Sequence, residues 1–332
     1  MDGDLSAVSR SWLFVLLAVC LTACSSPGNS AAPFLHGNVP PSPPAAPPVL
    51  TPEQALGDLT TIDYCSLVDL GEASGAGATH IGPVVSSPNK CIAFTTVSGR
   101  ATAIVVGQLA GKKADPDRAP DVTADKLDQG LRIQIAEYGS DKACRRYLTF
   151  ADGTHLMVDV GFTDNDSGTV DQRAALCTVE KAVFAGLVTD ITARKATHLT
   201  FPANSLGTVD PCPLLPDPHV LPGGLAEDLE IIPVPSHHRC TWLDLVHRTD
   251  VEFSFDYGRL PTGTKTTIAG LPSVTEPHTL SCKITTDVGA SPVPRLHQLA
   301  SLYVRVPDRG SDACAAAMTL ATAAWPKLPT NV

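Results

Sequence analysis

Several groups of side chains in this 332-residue chain have types and spacings that could do chemistry. Ser87-Pro88-Asn89-Lys90 fits the Ser-x-x-Lys of penicillin-binding enzymes, where a helix brings a serine nucleophile and a lysine together. Pro88, next to Cys91, is expected to hold this segment in a loop, and neither Ser-Asp-Asn nor Lys-Thr-Gly accompanies it, so no acyl-enzyme is predicted. His237-His238, with His219 and His247, has the residue type of a metal cluster. Adjacent residues on a strand point to opposite faces, and no carboxylate spacing completes a site, so a surface loop is the expectation. Asp164-Asn165-Asp166-Ser167-Gly168 offers oxygens suited to calcium but lacks the closing Glu of an EF-hand, which predicts a polar turn ahead of a helix. There is no Gly-x-Ser-x-Gly, P-loop or dinucleotide fingerprint. The sequence therefore predicts no catalytic residue, no metal ligand and no cofactor.

The cysteines carry a stronger signal. Of ten, Cys20 and Cys24 lie in the N-terminal segment and eight follow. Cys65, Cys91, Cys144 and Cys177 are spaced 26, 53 and 33 residues apart, and Cys212, Cys240, Cys282 and Cys314 are spaced 28, 42 and 32 apart. Thr61-Ile62-Asp63-Tyr64-Cys65-Ser66-Leu67-Val68 also matches Thr208-Val209-Asp210-Pro211-Cys212-Pro213-Leu214-Leu215. The chain after the N-terminal region thus reads as two copies of one domain, differing by an insertion around Gly107–Asp128. Without a Cys-x-x-Cys, neither zinc nor redox catalysis fits, and an even set at matched positions predicts a disulfide framework. Four cysteines allow three connectivities per copy. Sequential pairing (Cys65–Cys91, Cys144–Cys177, Cys212–Cys240, Cys282–Cys314) is expected, because each such pair clips a helix-like segment to a nearby strand.

Elements able to position these groups can be read from periodicity. Val251, Phe253, Phe255 and Tyr257 alternate with Glu252, Ser254 and Asp256, as do Leu302, Val304 and Val306, while residues 155–160 are the first-copy counterpart; all three read as strands. Cys314, Met318, Ala321 and Trp325 predict a closing helix that begins after an Ser311 N-cap and stops at Pro326. Ala174, Cys177, Phe184 and Val188 predict its equivalent over about residues 170–188. Each copy is an early helical turn, several antiparallel strands and a final helix, an α+β plan of two tandem domains over residues 53–198 and 199–332. Trp242, beside Cys240, is expected to pack in the core against the disulfide.

Ahead of these domains, Arg10 precedes an apolar run from Trp12 to Ala23, too short to span a bilayer and ending in Leu21-Thr22-Ala23-Cys24. That ending looks like a bacterial lipobox, which predicts a signal peptide over residues 1–23 and a diacylglycerol on the Cys24 thiol. Asp2 and Asp4 do not suit a basic leader, which places the expected start nearer Val8. Residues 24–52 are rich in Pro, Ser and Ala, an extended tether of about 3.1 Å per residue wherever it is polyproline-like. The net charge of −10 argues against nucleic acid as a partner. No later stretch reaches the length of a membrane span, so the remainder is expected to be soluble.

Asp210-Pro211-Cys212-x-Leu214-Leu215, Cys240-x-Trp242, a strand headed by Cys282, and Asp312-x-Cys314 in front of an Ala-rich helix resemble a family of actinobacterial secreted lipoproteins classed only as a domain of unknown function. More distantly, the architecture resembles the extracellular sensor domains of actinobacterial receptor kinases. The first copy departs from the pattern, with Tyr64 in place of the proline and Ala93 in place of the tryptophan. The resemblance implies an envelope location and an α+β fold but no activity. The expected function is therefore a lipid-anchored protein on the outer face of the cell membrane, non-catalytic, binding an envelope protein, lipid or glycan. The rival is an envelope enzyme acting on cell-wall or lipid substrate.

Overall fold

The computed structural model describes residues 50–111, 122–128, 131–136, 142–164, 166–216, 230–244, 249–306 and 313–329. Cys24, the expected lipobox, the expected tether up to residue 49, residues 112–121 of the expected insertion, Ser311 and Asp312 lie outside the described residues. The first repeat opens with α1 (Pro52–Leu56), β1 (Ile62–Asp63) and α2 (Leu70–Gly75). Six strands and a seventh then build one antiparallel sheet: β2 (Ala78–Ser86), β3 (Lys90–Val97), β4 (Arg100–Ala110), β5 (Val122–Asp128), β6 (Leu131–Ala136), β7 (Ala143–Thr149) and β8 (His155–Phe162). Helix α3 (Val170–Thr192) crosses β7 and β8, and β9 (Thr197–His198) returns to pair with β1.

The second repeat runs through β10 (Glu230–Pro233), β11 (Arg239–Asp244), β12 (Thr249–Gly258), β13 (Thr264–Ile268), β14 (Leu271–Pro277), β15 (Ser281–Ala290), β16 (His297–Arg305) and α4 (Ala313–Ala324). The two sheets share one topology, with orders β2-β3-β4-β8-β7-β6-β5 and β10-β11-β12-β16-β15-β14-β13. The fold is α+β, two similar antiparallel sheets each backed by helices. Both repeats belong to one compact unit, Ala46–Val332.

Local chemistry accounts for these elements. β12 alternates buried and half-buried residues along its whole length, so Val251, Phe253 and Phe255 enter the core while Glu252, Ser254 and Asp256 stay on the far face. Helix α3 starts at a capping box in which Thr169 accepts from the Gln172 N–H and the Gln172 side chain accepts from the Thr169 N–H. Its buried stripe is Leu176, Val179, Val183, Leu187 and Ile191, flanked by Phe184 and Val188. This corrects the expected face: Ala174 is exposed and Cys177 lies at the rim, where it reaches β7. In α4 the buried side chains Ala316, Ala317, Leu320, Ala321 and Ala324 are mostly alanine, which lets the helix lie close to β15 and β16. Trp325 falls just past α4, in a single tight turn, stacking on Phe253 and donating from Nε1 to Ser273 Oγ at 3.1 Å.

Four disulfides join Cys65–Cys91, Cys144–Cys177, Cys212–Cys240 and Cys282–Cys314. In each repeat one bridge ties an early turn to the second strand of the sheet and the other ties the fifth strand to the closing helix. The turns are built alike, since Asp63 Oδ1 accepts from the Cys65 N–H at 3.0 Å and Asp210 Oδ1 from the Cys212 N–H at 2.9 Å. Trp242 is buried in the second core, as is Ala93 in the first. There Tyr64 is also fully buried, on a turn packed on β3, so a large side chain enters the first core from position 64 rather than 93.

Candidate functional site

The Ser-x-x-Lys segment forms the turn between β2 and β3. Ser87 Oγ donates to the Lys90 carbonyl at 3.0 Å and accepts from the Lys90 N–H at 3.2 Å, so a side-chain hydroxyl closes the turn. Ser87 is buried, and its oxygen is committed to backbone rather than to the lysine amine. The turn is braced by β4, where the Gln108 N–H donates to the Asn89 carbonyl at 2.7 Å. Gly107 makes this approach possible: a Cβ there would lie 2.5 Å from the Asn89 oxygen, and its φ of +140° is one that L side chains rarely adopt. Gly107→Ala is expected to lower stability by about 1–3 kcal/mol, read as a reduced urea midpoint, by forcing the turn away from β4.

That turn meets its own counterpart in the second repeat. Aligning Cys91 with Cys240 places Ser87 opposite Ser236, Asn89 opposite His238 and Lys90 opposite Arg239. Asn89 Nδ2 donates to the Phe255 carbonyl at 2.6 Å and to the His238 carbonyl at 3.4 Å, while Ser236 Oγ donates to Asn89 Oδ1 at 3.3 Å. Lys90 Nζ pairs with Asp256 Oδ2 at 3.1 Å. Asn89 is therefore saturated by groups from the other repeat, a buried polar side chain with its partners in place. The register sets Met157 beside Gly107 on β8, and Leu299 beside Asp256 on β16. These two are buried although they lie on the sheet faces turned away from the helices, which fits their position next to this joint.

The two histidines separate here. His237 is exposed and its Nδ1 lies 3.1 Å from Asp210 Oδ2. His238, expected in a surface loop, is instead 1% exposed, with Nε2 3.0 Å from the Gly207 carbonyl and Phe201 edge-on to its ring. Because a carbonyl only accepts, Nε2 carries the proton, and Nδ1 is left without a hydrogen-bond partner. Burial holds the His238 imidazole below the ordinary histidine range. The reason for the correction is tertiary: the turn is a loop, but it docks on the first repeat. His237 holds a φ of +55°, which Pro88 at the matching position cannot reach, so the two turns are related but not identical in shape. His219 and His247 lie outside the described residues.

The calcium-like loop already holds a cation from its own chain. Arg100 is paired with Asp164 and donates to the Asp166 carbonyl at 3.2 Å, the Ser167 carbonyl at 3.4 Å and Gln172 Oε1 at 3.3 Å. Its guanidinium lies 3.7 Å over the Phe162 ring. The sequence does read as a polar turn before a helix, but the arginine that organises it sits 64 residues upstream of Asp164. Arg100→Met is expected to cost about 1–2 kcal/mol, since several carbonyls lose a charged donor together; unchanged melting would refute this role.

A second charged pair lies under α3. Glu180 is 1% exposed and accepts from Arg146 Nε, with its other oxygen unpartnered. Burial raises its carboxyl to about 7 against the opposing pull of Arg146. On the outer face of the same sheet Arg145 pairs with Asp159 at 3.0 Å, and Tyr147 stands edge-on to His155. Periodicity does not reveal Asn89, Arg100 or the Arg146–Glu180 pair, because their partners lie far away in sequence. The only sequence trace of the last pair is charge at positions that otherwise face a core. Among the described residues no group of His, Cys, Asp and Glu could hold a metal ion, and no helix is long and apolar enough to cross a membrane.

No protein-family model and no curated protein matches the chain. Among solved structures, the di-domain ARO/CYC StfQ from the steffimycin biosynthetic pathway aligns over 80% of this chain and 97% of its own, at 10% identity and a TM-score of 0.15. A TM-score of that size does not indicate a shared fold.

Proposed function

We propose that this chain is an envelope lipoprotein, held at the extracytoplasmic face of the membrane by acyl groups on Cys24 and acting by binding rather than catalysis. The single observation that carries the reading is Leu21-Thr22-Ala23-Cys24 after a short apolar run, followed by a Pro-rich spacer. The four disulfides suit an exported protein, since such bridges persist in oxidising compartments. The non-catalytic part draws support from where the reactive side chains go. Ser87 and Asn89 close a turn and a joint, Lys90 is paired with Asp256, His238 is bonded to a carbonyl, and Arg100 fills the acidic loop. The occupant of the binding role is an envelope protein, lipid or glycan, and the membership proposed is the actinobacterial lipoprotein family with the Cys-x-Trp pattern.

Cys24→Ser is expected to move the protein from the membrane fraction to the soluble one and to remove the acyl mass from its N-terminal peptide. Retention of the variant in the membrane would overturn the anchor. Purification of the wild type from detergent-solubilised envelopes should bring a protein, lipid or glycan with it. Isolation alone, with none of the three in the mass spectrum, would overturn the binding role.

A further inference from the structure

The geometry points to His238 as an acid-operated release for the joint between the two repeats: protonation of its imidazole loosens the Ser236–Arg239 turn from the Ser87–Lys90 turn. The side chain sits inside the joint at 1% exposure, and its own carbonyl takes a hydrogen bond from Asn89 across the contact. Its Nε2–H is satisfied by the Gly207 carbonyl, Nδ1 has no hydrogen-bond partner, and a proton added there would have only the Pro88 carbonyl to receive it, which does not offset the loss of water on burial. The charged groups around it do little to receive a cation. From its own turn and strand come His237 and Arg239, and from the first repeat Lys90, already paired with Asp256 of β12. Asp210, on the Cys212 turn, is the one nearby carboxylate among the described residues to favour the charged ring, and it is engaged by His237 and the Cys212 N–H. The remaining neighbour is the Phe201 ring.

The sign follows from linkage. In the closed joint burial disfavours the charged ring, because the water it loses outweighs the pull of Asp210 and of the two carbonyls around it. In an opened joint the ring is hydrated and titrates at its ordinary value, so the open form takes up a proton that the closed form refuses. Closure contributed by neutral His238 is complete above the ordinary histidine pKa and is lost as pH falls through and below it. Each pH unit by which the closed-state pKa is depressed multiplies the opening equilibrium by about ten in acid. The contact held by Asn89, Ser236 and Lys90 comprises few hydrogen bonds, so a bias of this size can act on it. This inference concerns the joint alone and does not depend on what the protein binds.

The test is hydrogen exchange of the whole chain in detergent at pH 7.5 and pH 5.0, corrected for intrinsic rates. Amides of Ser87, Gln108, His237 and Phe255, bonded in or beside the joint, are expected to lose at least tenfold in protection at pH 5.0, while β8 and β16 stay protected. In His238→Asn, which carries the side chain found at the matching position 89, the loss should fall below twofold. Undiminished protection in wild type, or an equal loss in His238→Asn, would overturn the proposal. Should that variant fail to fold, carbon-13 titration of the wild-type His238 ring decides instead. A midpoint below those of the exposed His80 and His237 supports the release, and a midpoint at or above theirs refutes it.

Discussion

Replacing Arg146 by Ile alone is expected to destabilise the protein by about 3–5 kcal/mol, the usual cost of leaving a buried charge without its partner. Glu180 would then be a buried carboxylate left with only the weaker pull of Lys181, in a core of Leu176, Val179 and Val183. The second repeat shows what the same place looks like without the pair. Aligning Cys144 with Cys282 and Cys177 with Cys314 sets Ile284 opposite Arg146 and Ala317 opposite Glu180, both fully buried. Arg146→Ile with Glu180→Ala should therefore recover most of the loss, since apolar replacement of a whole buried pair is often neutral or better. Urea unfolding of the two single variants and the double variant measures the coupling. Additive losses would show that the pair is not a unit.

The same carboxyl makes a pH prediction. Glu180 titrates at about 7 in the folded protein, above its ordinary value of 4.5, with burial as the cause. The folded state thus holds a proton that the unfolded chain has released. Its contribution is fully present below pH 4.5 and is lost as pH rises towards 7. Wild type should gain stability relative to Glu180→Gln as pH is lowered across that window, and a difference that stays flat would remove the raised carboxyl from the account.

Reduction of the four disulfides is expected to unfold both repeats. Loops of 26, 33, 28 and 32 residues correspond to about 3–4 kcal/mol each in the chain-entropy model. Two bridges per repeat then match the whole stability of an ordinary domain, about 5–15 kcal/mol. Each bridge also works locally. Cys282–Cys314 pins the alanine-rich α4, which buries few large side chains, to the sheet through Cys282 on β15. Cys144–Cys177 does the same for α3, whose Leu, Val and Ile stripe gives it more apolar contact of its own. Cys282→Ala with Cys314→Ala should accordingly cost more, and detach α4 more readily, than Cys144→Ala with Cys177→Ala costs α3. Melting temperatures and helix protection in the two variants compare them, and equal losses would show that the helices do not depend on the bridges differently.

Much of the fold was legible because its signals are local or repeated. Alternation along Val251–Tyr257 reflects a sheet with one face in the core, and helical spacing before Pro326 reflects a helix with one buried side. The matched cysteines and the Asp-capped turns at Cys65 and Cys212 exposed the duplication, and with it which helix and strand each bridge must join. Where spacing misled, it did so by one helical step, since Ala174 and Leu176 differ in burial only through the direction in which α3 lies on β7 and β8.

The fate of the reactive residues was decided in three dimensions. By itself the sequence determined a duplicated, cysteine-paired α+β chain, because periodicity, capping and repeat spacing are written within a few dozen residues. That His238 is bonded to Gly207, that Asn89 is spent on Phe255, that Arg100 serves the Asp164 loop and that Arg146 meets Glu180 are contacts across 31, 166, 64 and 34 residues. No local rule encodes such contacts, since a polar side chain in a turn has the same composition whether water or another repeat completes its hydrogen bonds. Only the packing of one β-turn against its duplicate supplied the second set of partners, and so turned a Ser-x-x-Lys and a His-His pair into the two halves of a joint.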